Sequence, residues 1–156
     1  MELIFSTALP EDAQQLCELY LRYSRELEQC GMEYDLVEST LLGSIQTRIK
    51  FRMTLAAVAK DGEKVVGFLF CNISRLPGYS YEGSPLFGYI SDIYVLPEYR
   101  GQHIAGRLTD MACQWLKENE VGYAELRVLE HNQGAHRFWT NQGFTPTSRI
   151  YGMKLK

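Results

Sequence analysis

The chain has 156 residues, 46% of them hydrophobic, and carries a net charge of −3 with a pI near 5.6, which suits one domain with a real core and leaves no comfortable room for a second. That balance supplies no basic face for sequence-independent nucleic-acid binding and mildly favours a cationic substrate. No apolar stretch approaches the roughly 18 residues of a membrane span, and Met1 to Ser6 turn polar too soon for a secretion signal, so a cytoplasmic protein with neither nucleic acid nor membrane as partner is expected. Cys17, Cys30, Cys71 and Cys113 are widely spaced, with no C-x-x-C pair and no histidine spacing suited to zinc, so reduced thiols and no metal are expected.

Residues 2 to 7 read as a short strand. Pro10-Glu11-Asp12 opens a helix whose apolar positions Ala13, Leu16, Leu19, Tyr20 and Tyr23 recur at helical spacing. A second helix covers about 36 to 50, and the linker 29 to 35 between the two is expected to be exposed. Met53 to Ala59 and Lys64 to Ile73 are strands joined by Lys60-Asp61-Gly62-Glu63, since Asp-Gly between apolar runs signals a hairpin. Residues 75 to 85 are rich in turn formers and make a loop long enough to be functional, or else a mobile surface excursion. Phe87 to Leu96 is a fourth strand. The helix that follows, about 102 to 119, presents Ile104, Leu108, Met111, Ala112, Trp115 and Leu116 on one face. Ala124, Leu126 and Val128 alternate as a fifth strand, Asn132 caps a fourth helix, Gly143 ends it, and residues 149 to 155 read as a last strand.

The most telling stretch runs from Ser91 to Leu108, where a β-branched strand passes through a Pro turn into a basic, Gly-flanked helix start. The first amides of a helix are unpaired and carry partial positive charge, so several phosphate oxygens can be bound there at once. Arg100 and Arg107 add full charges at the same end. Gly101 and Gly106 have the gap of a Walker A loop, but Arg107-Leu108 follow where that loop needs Lys and Ser or Thr. The dinucleotide fingerprint, Gly-x-Gly-x-x-Gly, is also absent.

Arg100-Gly101-Gln102-His103-Ile104-Ala105 resembles the signature of the GNAT superfamily of N-acetyltransferases: Gln or Arg, two residues, Gly, one residue, then Gly or Ala, at a helix start after a strand ending in Val-x-Pro. A second landmark of that family, Asn-x-x-Ala followed by an aromatic residue and then Gly-Phe, matches Asn132 to Ala135, Phe138-Trp139 and Gly143-Phe144. The resemblance implies a mixed α/β fold: a mostly antiparallel sheet, splayed between strands 4 and 5 and flanked by about four helices, in a single domain over 1–156. It departs twice from the family pattern. His103 stands where Gly is usual, and Trp139 stands where many members have a Tyr acting as general acid; an indole N–H is a donor without useful acidity.

The resemblance further implies acetyl-CoA as cofactor, its pantetheine lying in the splay. The backbone of Ile93, Tyr94 and Val95 would bind it, with an N–H near the acetyl oxygen stabilising negative charge there. Tyr94 is counted among the catalytic positions on that account. The pyrophosphate falls to amides from Gln102 through His103, Ile104 and Ala105 to Gly106, with Asn132 beside the arm and Phe138 and Trp139 beside the thioester.

Attack by an amine needs a base, or a water chain leading to one. Asp92 is the first candidate, because a carboxylate inside a sheet needs a reason; Glu130, at the end of the fifth strand, is the second. Glu33, Tyr34, Tyr81 and Glu82 are candidate acceptor contacts, and Tyr79, Tyr81 and Tyr89 candidate proton donors. His131 and His136, five apart, fall on different helix faces and read as surface residues. The expected activity is direct acetyl transfer to a primary amine, a small cationic one first and a protein or peptide amine second. A non-catalytic CoA-binding sensor and a nucleotide-binding module are the rivals. Family members are often dimers, which leaves a homodimer open.

Overall fold

The computed structural model describes residues 2–156. In chain order these form β1 (Leu3–Thr7), a 3₁₀ turn (Pro10–Asp12), α1 (Ala13–Gln29), α2 (Glu38–Lys50), β2 (Thr54–Asp61), β3 (Lys64–Arg75), β4 (Leu86–Val95), a 3₁₀ turn (Pro97–Tyr99), α3 (Ile104–Glu118), β5 (Ala124–Leu126) and α4 (Gln133–Asn141). The sheet order follows the chain, β1-β2-β3-β4-β5, antiparallel throughout except for the parallel pair β4 and β5. This is the mixed, mostly antiparallel sheet with four helices that the sequence led us to expect.

β3 is buried on both faces from Val65 to Cys71, so it reads as an unbroken apolar run rather than an alternating one. The α1 and α2 helices cover one face of the sheet and α3 the other. Leu16, Ile45, Phe68, Phe70, Leu69 and Leu108 are among the largest fully buried side chains of the core. Gly88 marks the closest approach of α3: a Cβ there would lie 2.4 Å from Leu116 Cδ1. At the opposite corner Asp12 accepts a hydrogen bond from the Leu9 amide at 2.8 Å and an ion pair from Lys60 at 2.7 Å, tying the start of α1 to β2.

The loop over 75–85 is no loose excursion. Leu76 donates to the Pro85 carbonyl, Tyr81 and Ser84 bridge reciprocally, and Glu82 and Gly83 between them both have positive φ (47° and 91°), the backbone of a type I′ turn. The Tyr81 ring stacks on Tyr123 beside β5, centroids 3.9 Å apart. The loop is thus an ordered hairpin laid across the far end of the β4–β5 pair.

Two expectations need correction. The fifth strand stops at Leu126 instead of reaching Val128, and residues 149 to 155 form no strand. Alternating side chains promised a strand there, but a strand exists only where an edge offers it hydrogen bonds, and no backbone hydrogen bond beyond Phe144 ties the chain to the body among the described residues.

Candidate active site

The site begins with an irregularity in β4. Phe70 of β3 faces Asp92 and Cys71 faces Ile90, so Ser91 is an extra residue, a β-bulge. Side chains alternate along a strand, and one inserted residue reverses their faces beyond it. Gly88, before the bulge, looks toward Leu116 of α3. Asp92 and Tyr94, after it, look toward the opposite helices, where Asp92 meets Tyr20 and Arg48 and Tyr94 meets Tyr23. The bulge thereby delivers a carboxylate to the α1/α2 face of the sheet.

Asp92 is 7% exposed and fully engaged. Its Oδ1 accepts from Tyr20 Oη at 2.8 Å, and its Oδ2 accepts from Ser91 Oγ at 2.7 Å and Arg48 Nη1 at 3.1 Å. A carboxylate offers about four lone-pair sites, so about one is left for a ligand. Arg48 also lies over the Phe70 ring, 4.9 Å from its centroid. The surrounding phenols are held protonated: burial first, then Asp92, pushes Tyr20 and Tyr23 upward. Burial, then Glu26, pushes Tyr94 up to about 12. In front of Asp92 a cavity of about 160 Å³ opens between α1, the 32–37 linker and β4, with Tyr23, Met32, Tyr34, Asp35 and Leu36 among its walls.

On the other side of Asp92 the sheet parts. β4 and β5 pair only at Gly88, Tyr89 and Ile90 with Ala124, Glu125 and Leu126, so from Ser91 onward the β5-facing edge of β4 is open. The Leu96 amide donates to Val66, which fixes the alternation: Tyr94, opposite Phe68, turns its backbone groups toward β3, while those of Ile93 and Val95 point into the open edge. Of the three backbone positions expected there, Ile93 has both its groups on the open edge and Val95 its N–H, the Val95 carbonyl accepting from Arg100 Nε.

The open edge leads directly to the start of α3. Gly101 (φ 82°) and His103 (φ 61°) both take the left-handed conformation, and no side chain caps the helix, so its first-turn amides stay presented. The usual Gly at position 103 now has its reason, since a side chain is strained there. The two arginines are turned to other work. Arg100 donates through Nε to the Val95 carbonyl at 2.9 Å and through Nη2 to Glu26 at 2.9 and 3.1 Å, and Arg107 stacks on Phe5 at 3.8 Å. Across the splay, Asn132 caps α4 through the Ala135 amide as expected. Trp139 is 7% exposed, edge-on to Phe138 and Phe144. An extended, amide-bearing ligand arm ending in a pyrophosphate has the shape this edge and turn can hold.

The remaining candidates divide. Tyr34 stands at the cavity rim, and Tyr81 and Tyr89 lie beside Glu125, with Tyr81 donating to it at 3.3 Å. Glu33 and Glu82 are exposed, and Glu130 faces Arg149 at 3.5 Å. His131 is exposed, while His136, half-buried, lies 3.2 Å from the Glu130 carbonyl. Sequence reasoning missed Tyr20, Arg48, Ser91 and Glu125.

Residues 13–144 match the model of the acetyltransferase (GNAT) family. The chain belongs to this family. Among curated relatives, an uncharacterised N-acetyltransferase of Archaeoglobus fulgidus is 35% identical over 132 residues, 85% of this chain and 86% of that one. N-alpha-acetyltransferase 30 of Schizosaccharomyces pombe is 30% identical over 94 residues, which is 60% of this chain and only 59% of the yeast protein. The match to a chloroplastic GCN5-related N-acetyltransferase of Arabidopsis thaliana spans 35% of that protein. Among solved structures, a Bacillus halodurans protein crystallised as a tetramutant superposes with a TM-score of 0.83 at 21% identity, over 97% of this chain and 99% of its own. An aminoglycoside N-acetyltransferase in complex with CoA gives 0.80 at 14% identity, over 98% and 94%. As a GNAT acetyltransferase the chain is an enzyme of acyl transfer. No helix among the described residues is long and apolar enough to cross a membrane.

Proposed function

We propose that this GNAT protein transfers the acetyl group of acetyl-CoA directly to a primary amine held in the cavity before Asp92. The observation that carries the reading is the continuity of the open edge of β4 with the uncapped first turn of α3: one face offers strand hydrogen bonds to an extended arm and helix amides to its phosphates. When bound, acetyl-CoA supplies a thioester carbonyl activated toward attack.

The chain's own part divides among few residues. The backbone groups of Ile93 and the N–H of Val95 would hold the arm, one N–H serving as donor to the acetyl oxygen. Amides of Ile104, Ala105 and Gly106 hold the pyrophosphate, Asn132 flanks the arm, and Arg100 acts at one remove by holding the end of β4. Asp92 would orient the acceptor ammonium with its remaining lone pair; of the two protons the nitrogen gives up in becoming an amide, one goes to the departing CoA sulfur and the other to water through the mouth lined by Asp35. Trp139 has no acid role, because its ring is spent on packing against Phe138 and Phe144.

A cavity of about 160 Å³ with tyrosine walls and an acidic mouth suits a small cationic amine. The second reading, a peptide amino terminus, is favoured by Tyr34 at the rim, 71% exposed, where a following residue could lie, and by the yeast relative's name.

Two measurements test the proposal. Proline is tolerated in a helix first turn but has no N–H, so Ala105→Pro removes one phosphate donor and leaves the fold. A hydrogen bond to a charged group is worth about 1.5–3 kcal/mol, so the CoA dissociation constant should rise by roughly ten- to a hundredfold. An unchanged constant rejects the site. CoA release measured against a diamine, an aminoglycoside and short peptides with free amino termini then separates the acceptor classes. CoA binding without turnover on any of them would favour a sensor.

A further inference from the structure

The two strands that flank the cleft carry opposite charges on one face. Tyr89 of β4 lies opposite Glu125 of β5, and the last pair is Ile90 with Leu126, so Arg127 stands level with Ser91, across the cleft from Asp92. Side chains alternate along a strand. Tyr89 therefore points away from the α3 face to which Gly88 turns, and Glu125 and Arg127, two apart, share its side. The Arg127 guanidinium leans back over the Tyr89 ring, 6.0 Å from its centroid. Paired strands lie about 4.8 Å apart, and these two widen from that spacing, so the two banks are within the span of one small molecule.

Arg127 has no other task in the fold. It is exposed and makes no ion pair among the described residues, whereas Arg48 is spent on Asp92 and Arg100 on Glu26. Glu125 accepts from the Tyr81 hydroxyl at 3.3 Å instead. A planar fork of N–H donors at the edge of a cleft matches a carboxylate. Tyr89 lies between the banks: burial raises its phenol, Arg127 opposes that rise, and Asp92, Tyr34 and Glu125 reinforce it. The space is also short. A Cβ on Gly31 would lie 3.8 Å from His131 Cδ2, so the linker that walls the cavity meets the loop leading into α4, which favours a short acceptor over a long one.

Building on the acetyl transfer inferred above, we propose that the acceptor is a free amino acid, its ammonium held by Asp92 and its carboxylate by Arg127. The acetyl C–S bond breaks as the bond to the amino nitrogen forms, and the product keeps its carboxylate against Arg127. A diamine or an aminoglycoside places a second cation against that guanidinium, and an amino-acid amide leaves it unpaired, so both are rejected.

Thiol release from acetyl-CoA is measured with the proteinogenic amino acids, and with the amide and the decarboxylated amine of each one that reacts. The amino acid should exceed both by at least about tenfold in kcat/KM, as expected for a charge-assisted pair. Arg127→Gln, at an exposed site whose fold circular dichroism checks, should cut that preference to about twofold or less, chiefly through KM, and Arg127→Lys should restore part of it. Titration of the amino acid into protein saturated with CoA, where no transfer occurs, should show the same loss of affinity in Arg127→Gln. Equal use of acid and amide, or a preference that Arg127→Gln leaves intact, overturns the proposal. CoA binding with turnover of diamines or peptides and of no amino acid overturns it while sparing the acetyl transfer; failure to bind CoA removes both.

Discussion

At the level of single residues the Asp92 cluster dominates. It joins Tyr20 of α1, Arg48 of α2 and the bulge residue Ser91, so one carboxylate fixes the relation of two helices to the sheet. Asp92→Ala leaves the Arg48 charge and the Tyr20 hydroxyl without their partner, and removing one member of a buried pair costs about 3–5 kcal/mol. With the Arg48 side chain 32% exposed, we expect the lower end, read as a shift in the denaturant midpoint. Tyr20→Phe removes one hydrogen bond and should cost about 1 kcal/mol. His103→Gly relieves a left-handed backbone against the entropy that glycine adds to the unfolded chain; a gain of about 0.5–1 kcal/mol is expected, with acetyl-CoA affinity retained. Trp139→Tyr should give no increase in turnover, since the new hydroxyl would enter the packed contact with Phe138 and Phe144 and not a reaction centre.

Elements show which features a sequence can announce. The hairpin around Asp61-Gly62 was legible because its turn chemistry is local, and the Asn132 cap because its partner lies three residues away. The start of α3 was legible for the same reason, although its first helical residue is Ile104, two after the expected start, with His103 bent into the left-handed region. The Asp92 cluster was only half legible. A carboxylate in a strand stands out, but its partners lie 72 and 44 residues away in sequence, and the bulge at Ser91 has no glycine to betray it. Arg100 was legible only as charge at a helix start; that its long side chain reaches back to Val95 and across to Glu26 was not. The α3–β4 contact gives the sharpest test at this scale. Gly88→Ala would bring a Cβ to 2.4 Å from Leu116, a core side chain 3% exposed with nowhere to retreat. Overpacking of this kind costs about 1–3 kcal/mol, which chemical denaturation would measure.

For the whole molecule, ligand and pH are the levers. Acetyl-CoA at a hundred times its dissociation constant adds about 2.7 kcal/mol, which for a chain of this size raises the thermal midpoint by roughly 5–10 °C; ATP at the same concentration should not. The buried tyrosines set an alkaline limit. Burial raises Tyr20, Tyr23 and Tyr94 in the fold above the ordinary value near 10, so the native state holds these protons more tightly than the unfolded chain does. Their contribution is complete below about pH 10 and is lost as pH rises above it, for Tyr94 as pH approaches about 12. Tyr94→Phe should make the decline in stability above pH 10 shallower, as followed by denaturation at fixed pH steps.

The sheet order that follows the chain also bears on how quickly the protein forms. β1 to β4 each pair with a strand adjacent in sequence, and β2 and β3 are separated only by a two-residue turn. The β2–β3 and β3–β4 hairpins close small loops, whereas β1 reaches β2 only across α1 and α2 and β5 reaches β4 only across α3. Substitutions in the β2–β3 core, such as Val58→Ala or Phe68→Leu, should therefore slow refolding. Those in α4 should chiefly hasten unfolding. The cleft between β4 and β5 would then close only after the β2–β3–β4 hairpins have formed.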